Sequence, residues 1–191
     1  MQSARHLRHL LEWNLRGKPV PPPTVVKQRT VKHYQKKFGP NIFIETGTYL
    51  GDMVAAVASR FTETYSIELS PELCERAQAR FATRDDVHIL HGDSSDVLPL
   101  VLKRISEPYL FWLDGHFSGG ITAQGKLDYP ILQELEHIRR HPIKNHIILI
   151  DDARLFVSPA PAKEQIIERL RGINPAYVIE DRDAIIRAFI P

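Results

Sequence analysis

The stretch Glu45-Thr46-Gly47-Thr48-Tyr49-Leu50-Gly51 follows the apolar run Ile42-Phe43-Ile44 and leads into a helix-like segment that opens near Met53. A strand that ends in a carboxylate, turns tightly on glycine and enters a helix brings bare backbone to a small polar ligand. Glycine permits this because no Cβ stands in the way. A helix start adds N–H groups without partners. By itself a G-x-x-x-G turn discriminates little, and its weight depends on what the rest of the chain places beside it.

Outward from this turn, apolar runs alternate with helical patterns. The runs are 42–45, 64–68, 87–90, 109–113, 146–150 and 176–179, with helix candidates at 52–61, 71–82, 95–105, 130–140 and 162–171. Ser70 and Pro71 are good start chemistry for the second of these helices. Strand–helix alternation at this spacing implies an α/β fold, a parallel sheet with helices on both faces. The end of the chain breaks the rhythm. The strand at Tyr177-Val178-Ile179-Glu180 is followed by Asp181-Arg182-Asp183 and another apolar run, 184–190. So short a connection permits only an antiparallel return, which predicts one reversed strand near an edge. Residues 1–40 read as an N-terminal helical extension of the same domain, and residues 41–191 as its main body. Leu7, Leu11 and Leu15 lie on one face of a first helix, with Leu10 nearby. The stiff segment Pro19-Val20-Pro21-Pro22-Pro23 separates it from a second helix over 24–37.

Composition narrows the field further. A chain of 191 residues with 43% apolar and 25% charged residues is an ordinary globular domain with a real core. A net charge of +2 gives no reason to expect nucleic acid. The basic residues Lys27, Arg29, Lys32, Lys36 and Lys37 read as a solvated helix face. The single cysteine, Cys74, excludes an internal disulfide and fits a buried helix position in a cytoplasmic protein. No apolar run is long enough for a membrane span. The N-terminal segment contains arginines and few acids, as transit peptides do, but an extra helix is the plainer reading.

In open α/β sheets ligands bind beyond the C-terminal ends of the strands. All five strand ends of the alternating region carry an acid: Glu45, Glu68, Asp93 in Gly92-Asp93-Ser94, Asp114 in Asp114-Gly115-His116, and Asp151-Asp152. Turns and caps favour Asp, which accounts for one or two of these but less readily for all five. Glu68 lies about 20 residues after the glycine turn, where an acid accepts both hydroxyls of a ribose. A dinucleotide fingerprint places a glycine where this chain has Tyr49, and Glu45 puts a negative charge beside the turn. That charge repels phosphate and suits an ammonium. The expected ligand carries a ribose and a cation and no phosphate.

These motifs, in order Glu45 to Gly51, Ile67-Glu68-Leu69-Ser70-Pro71, Gly92-Asp93-Ser94-Ser95-Asp96, Leu113-Asp114-Gly115-His116 and Leu149-Ile150-Asp151-Asp152, resemble the class I S-adenosylmethionine-dependent methyltransferases. Within them the chain is most similar to the catechol O-methyltransferase-like and macrocin-type, metal-dependent O-methyltransferases. The resemblance covers about residues 41–156. It implies a Rossmann-like methyltransferase sheet and S-adenosylmethionine as cofactor. Glu45, Gly47, Thr48 and Gly51 would wrap the methionine part, Glu68 the ribose, and Asp93 with Ser94 the adenine edge. Asp114 would lie near the sulfonium and amine. Asp114, Asp151 and Asp152 would form a divalent-metal triad, with Mg²⁺ or another divalent cation as the expected ion. Hard cations take carboxylate oxygens, and neutralising three close acids favours binding. Such an ion can hold two substrate oxygens and lower the pKa of the one to be methylated.

Two departures from the catechol-type pattern stand out. Asp152 replaces an asparagine, and the lysine after the fourth-strand acid is missing. His116 is then the nearest titratable group and a candidate general base, with Lys126 and Asp151 as rivals. The glycine-rich segment from Gly115 to Gly125 has the composition of a lid or of a plain connection. The expected function is O-methylation of a small hydroxylated acceptor such as a sugar or natural product, with homo-oligomer contacts through the N-terminal helices. A nucleotide (NAD)-dependent oxidoreductase on a similar sheet and a non-catalytic S-adenosylmethionine-binding module remain the alternatives.

Overall fold

A computed structural model describes residues 2–104, 107–115, 129–157 and 161–191, with side chains from Leu7 onward. The elements run α1 (Gln2–Leu15), α2 (Thr24–Phe38), β1 (Ile42–Thr46), α3 (Asp52–Val57), β2 (Glu63–Glu68), α4 (Pro71–Arg80), β3 (Val87–His91), α5 (Ser94–Leu102), β4 (Tyr109–Leu113), α6 (Ile131–Arg140), β5 (Ile147–Ile150), α7 (Lys163–Ile173), β6 (Val178–Arg182) and β7 (Ile185–Phe189). One sheet has the strand order β3-β2-β1-β4-β5-β7-β6. Strands β1 to β5 pair in parallel, and β7 alone is reversed, antiparallel to both β5 and β6. This is the mostly parallel sheet with one reversed strand next to an edge that the sequence pattern predicts.

Strand β1 shows why the sheet needs cover on both sides. Ile42 and Ile44 join the core under α5, α6 and α7, with Leu98, Leu135, Ile138, Ile166 and Leu170. Phe43, one residue out of phase, joins the opposite core with Val31 and Tyr34 of α2 and Met53 and Val57 of α3. All five β1 residues are buried, as the two-residue period of a doubly covered strand requires. Helix α4 begins as expected: Ser70 Oγ accepts from the Leu73 N–H at 3.4 Å and Pro71 occupies the first turn. The hairpin between β6 and β7 turns on Asp183 and Ala184, at φ 58° and 56°. Two successive positive φ values give the two-residue turn whose twist matches the flanking strands.

The N-terminal segment departs from expectation in one respect. Helix α1 packs on α2 through Leu10 and Trp13, which meet Val25 and Val26, and Trp13 Nε1 donates to the Pro19 carbonyl at 2.8 Å. Leu7, Leu11 and Leu15 face outward, between 55% and 86% exposed. Among the described residues the helix packs mainly against α2, and the Leu10–Trp13 face carries the larger side chain. Cys74 is buried in α4. Among the described residues no helix is long and apolar enough to cross a membrane.

Candidate active site

Parallel pairing puts the C-terminal ends of β1 to β5 along one rim. In register, Thr46 pairs with Ile67 and with Leu113, Glu68 with His91, and Leu113 with Ile150. The strand order reverses direction between β1 and β4, and such a switch point opens a crevice for ligands. The glycine turn borders this crevice. Gly47 has φ +86°, and a Cβ there would stand 2.6 Å from the Asp114 carbonyl oxygen. The β1 turn therefore lies directly against the end of β4, an approach that only glycine allows. Tyr49, at the position where a dinucleotide fingerprint has glycine, also adopts a positive φ of 49°.

Glu68 is braced from two directions. Its Oε2 accepts the Tyr49 N–H at 2.7 Å and its Oε1 accepts the Ser70 N–H at 2.9 Å. One bond comes from the glycine turn and the other from the start of α4, so the carboxylate plane is fixed by backbone. Glu45 lies beneath the turn. Ser66 Oγ donates to its Oε2 at 2.6 Å, and Thr48 Oγ1 lies 2.6 Å from Ser66 Oγ. With Ser66 donating to Glu45, Thr48 donates to Ser66, so the Thr48 hydroxyl points into the sheet and its backbone forms the turn. Burial pushes the Glu45 carboxyl well above the usual carboxylate range; Ser66 opposes this, and Asp114 and Glu68 add to it.

Asp93 caps α5, its Oδ1 accepting from both the N–H and the Oγ of Ser95 at 2.9 and 2.6 Å. Ser94 is buried beside it. Glu134 of α6 is buried nearby, its Oε1 without a hydrogen-bond partner among the described residues. Burial lifts its carboxyl to about 7, opposed by the nearby Ser94 and Thr46, with Asp93 and Asp114 adding to the rise. Sequence reasoning missed Glu134. It stands mid-helix among Ile131, Leu135 and Ile138, and that apolar face was the available signal for a buried acid.

At the ends of β4 and β5, Asp114, Asp151 and Asp152 each offer an oxygen within 4.8 Å of the others. Among the described residues this is the one such group of three acids, histidines or cysteines. Asp152 adopts φ 49° and ψ 42°, a left-handed conformation that Asp tolerates better than most residues. Its N–H donates to Asp151 Oδ1 at 2.7 Å. Carboxylate oxygens converging in this way suit a hard divalent cation, so the donor set fits Mg²⁺.

A cation of the chain itself is also present. The Lys27 ammonium, carried on α2, forms an ion pair with Asp151 Oδ2, the two side chains being 18% and 0% exposed. Arg154 Nε stands 3.3 Å from Asp152 Oδ1 on the more open flank. Burial pulls the Lys27 pKa down, but Asp151, Asp114 and Asp152 together outweigh it and hold it above the ordinary lysine value. Burial, then Asp114, push Asp151 up, while Lys27 pulls it down. The two shifts disagree about where the proton sits. We assign the ionised pair, because both Asp151 oxygens face donors, the ammonium on one side and the Asp152 N–H on the other. Lys27 thus turns its ammonium toward the acids and is half-buried, not part of the solvated face that its basic neighbours suggested. Its signal was helical spacing: it shares a face with Val31 and Tyr34, both buried in the core. His116, Lys126 and the segment 116–128 lie outside the described residues.

No family model matches the chain, and no curated protein matches it in sequence. Solved structures do match in shape. An O-methyltransferase from Bacillus cereus in complex with S-adenosylhomocysteine superposes at a TM-score of 0.62 and 13% identity, over 98% of this chain and 91% of that one. TomG of Streptomyces achromogenes, an O-methyltransferase of tomaymycin synthesis in complex with S-adenosylmethionine, gives 0.58 and 13% identity, over 97% and 88%. A Clostridium thermocellum protein proposed to be an rRNA methylase gives 0.56 and 15% identity, over 84% and 93%. The fold is that of the class I S-adenosylmethionine-dependent methyltransferases, as the motif order predicts. The strand order, the reversed β7 and the near-complete coverage in both directions define it.

Proposed function

We propose that the protein transfers a methyl group from S-adenosylmethionine to an oxygen of a small hydroxylated acceptor. The observation that carries this reading is the Glu68 carboxylate, held by two backbone N–H groups at the rim of a methyltransferase fold. A carboxylate fixed in this way keeps its remaining lone pairs for a pair of ribose hydroxyls. Tyr49, standing where a dinucleotide fingerprint has glycine, argues against a pyrophosphate at the same turn, and hence against the oxidoreductase alternative; burial favours the neutral form of Glu45, so its charge adds nothing to that argument.

In this reading Gly47, Thr48 and Gly51 shape the backbone around the methionine part, with Glu45 beneath it as the acid facing the ammonium. Asp93 and Ser94 border the adenine, and Asp114 borders the sulfonium and amine. When bound, S-adenosylmethionine supplies an electrophilic methyl on a positively charged sulfur. The methyl would pass to the acceptor oxygen, leaving the electron pair of the broken carbon–sulfur bond on sulfur, and the acceptor proton would go to a base on the chain. His116 is our candidate for that base, with Asp151 and Lys126 as the alternatives. The chain's contribution is chiefly alignment of the acceptor oxygen with the methyl group, together with that proton transfer. Asp114, Asp151 and Asp152 would hold a divalent cation, which would acidify the acceptor hydroxyl.

The test is turnover with trideuteromethyl-labelled S-adenosylmethionine and a panel of sugars, phenols and short RNAs, with Mg²⁺ or with EDTA. Label on a hydroxylated small molecule, with S-adenosylhomocysteine released, supports the reading. Label on RNA alone overturns the acceptor class. Full activity in EDTA removes the metal from it. Cofactor binding without transfer to any acceptor favours the non-catalytic module.

A further inference from the structure

We infer that Lys27 is a built-in counter-ion that shares the Asp114–Asp151–Asp152 seat with a divalent cation and keeps that cation weakly held. The inference rests on the cation site of the proposed function, and its test reads metal binding without any methyl transfer. Lys27 reaches the seat from α2, an element of the N-terminal extension that the strand-end motifs do not include. The reach is fixed at both ends. Val31 and Tyr34 pack α2 onto the sheet with Phe43, Trp112 and Leu149. Gln28, the next residue, donates from Nε2 to the Asp52 carbonyl at 3.1 Å. The ammonium then meets Asp151, whose side chain is fully buried. Three carboxylates carry a formal −3, and Lys27 cancels one charge from inside the cluster. Arg154 also faces the cluster, but its side chain is 39% exposed, and water screens its charge more strongly.

A fixed positive charge within a few ångströms of a divalent ion opposes that ion's binding even at the dielectric of water. Removing it should therefore tighten cation binding by about tenfold or more. Lys27 also holds one Asp151 oxygen, so it orients the ligand that it partly neutralises. The extension thereby becomes part of the site, setting how much cation the rim retains at a given concentration.

The experiment is calorimetric titration of Mn²⁺ alone into the full-length protein and into Lys27→Met, Lys27→Arg and Arg154→Met, each checked for folding by circular dichroism. Lys27→Met should bind Mn²⁺ about tenfold or more tightly than the parent. Lys27→Arg, which keeps the charge, should stay near the parent, and Arg154→Met should change less than Lys27→Met. Unchanged or weaker Mn²⁺ binding in folded Lys27→Met overturns the inference, as does an Arg154→Met effect as large as that of Lys27→Met. If Lys27→Met is unfolded in buffer, refolding on addition of Mn²⁺ supports the counter-ion role. Unfolding that Mn²⁺ does not reverse assigns Lys27 to structure alone and overturns it.

Discussion

Gly47→Ala should damage both stability and the crevice, and its size can be worked from geometry. The new Cβ would stand 2.6 Å from the Asp114 carbonyl oxygen and 3.0 Å from its carbon. Both atoms are backbone, so no side-chain rotation relieves the overlap. At φ +86° an L-residue is also strained, by about 1–2 kcal/mol. Separating the β1 turn from the end of β4 adds about 1–3 kcal/mol, the usual cost of overpacking. The Asp114 N–H bond to the Thr46 carbonyl, 3.1 Å long, lies across the same gap and would stretch. The sum is about 2–5 kcal/mol, and for a chain of this size each kcal/mol moves Tm by about 2–4 °C. Scanning calorimetry should thus show Tm lower by about 4–20 °C. The displaced backbone borders the crevice, so the stabilisation conferred by added S-adenosylhomocysteine should shrink as well. A Gly47→Ala protein within about 2 °C of the parent, with an undiminished ligand effect, would refute the close approach of the two strand ends.

Glu68→Gln should leave the fold standing but set an amide N–H₂ against one of the Tyr49 and Ser70 N–H donors. The cost is about 1–3 kcal/mol, so S-adenosylhomocysteine affinity should fall about tenfold to a hundredfold; an unchanged affinity by calorimetry contradicts the ribose role. His146 is buried against Tyr109, whose N–H donates to its Nδ1 at 3.1 Å. Burial, helped by His141 and Lys144, lowers its pKa to about 3. The unfolded chain takes up this proton near pH 6.5 and the folded chain does not. Stability is therefore full above about pH 6.5 and is lost as pH falls towards about 3, by up to about 4 kcal/mol. Urea unfolding at pH 7 and pH 5 should show this slope in the parent and a flatter one in His146→Phe; equal slopes would reject the assignment.

Much of the fold was legible because its signals are local and repeated. Ile42-Phe43-Ile44 has one polarity on both faces, which only a doubly covered strand needs. Asp181-Arg182-Asp183 is too short for anything but a return. The rim was legible for the same reason, since parallel strands must end on one side and each end names its acid. What was not legible depends on which faces meet. Leu7, Leu11 and Leu15 form a better apolar stripe than Leu10 with Trp13, yet only the second pair faces α2. Lys27 sits in a run of basic residues, and only its helical spacing from the buried Val31 and Tyr34 sets it apart. Its burial follows from how α2 docks across the sheet, a relation over more than a hundred residues of chain between Lys27 and Asp151. Glu134 gave a partial signal in the apolar face of α6, but its place beside Thr46 and Ser94 depends on how that helix docks over distant strand ends.

On the proposed function, the rim from Glu45 to Asp114 takes a ribose and a cation and no pyrophosphate. Calorimetric titration of the unmodified protein with S-adenosylhomocysteine, and separately with NAD, tests it most directly. Saturable one-to-one binding of S-adenosylhomocysteine is expected, and none of NAD. Binding of NAD with no binding of S-adenosylhomocysteine would contradict it.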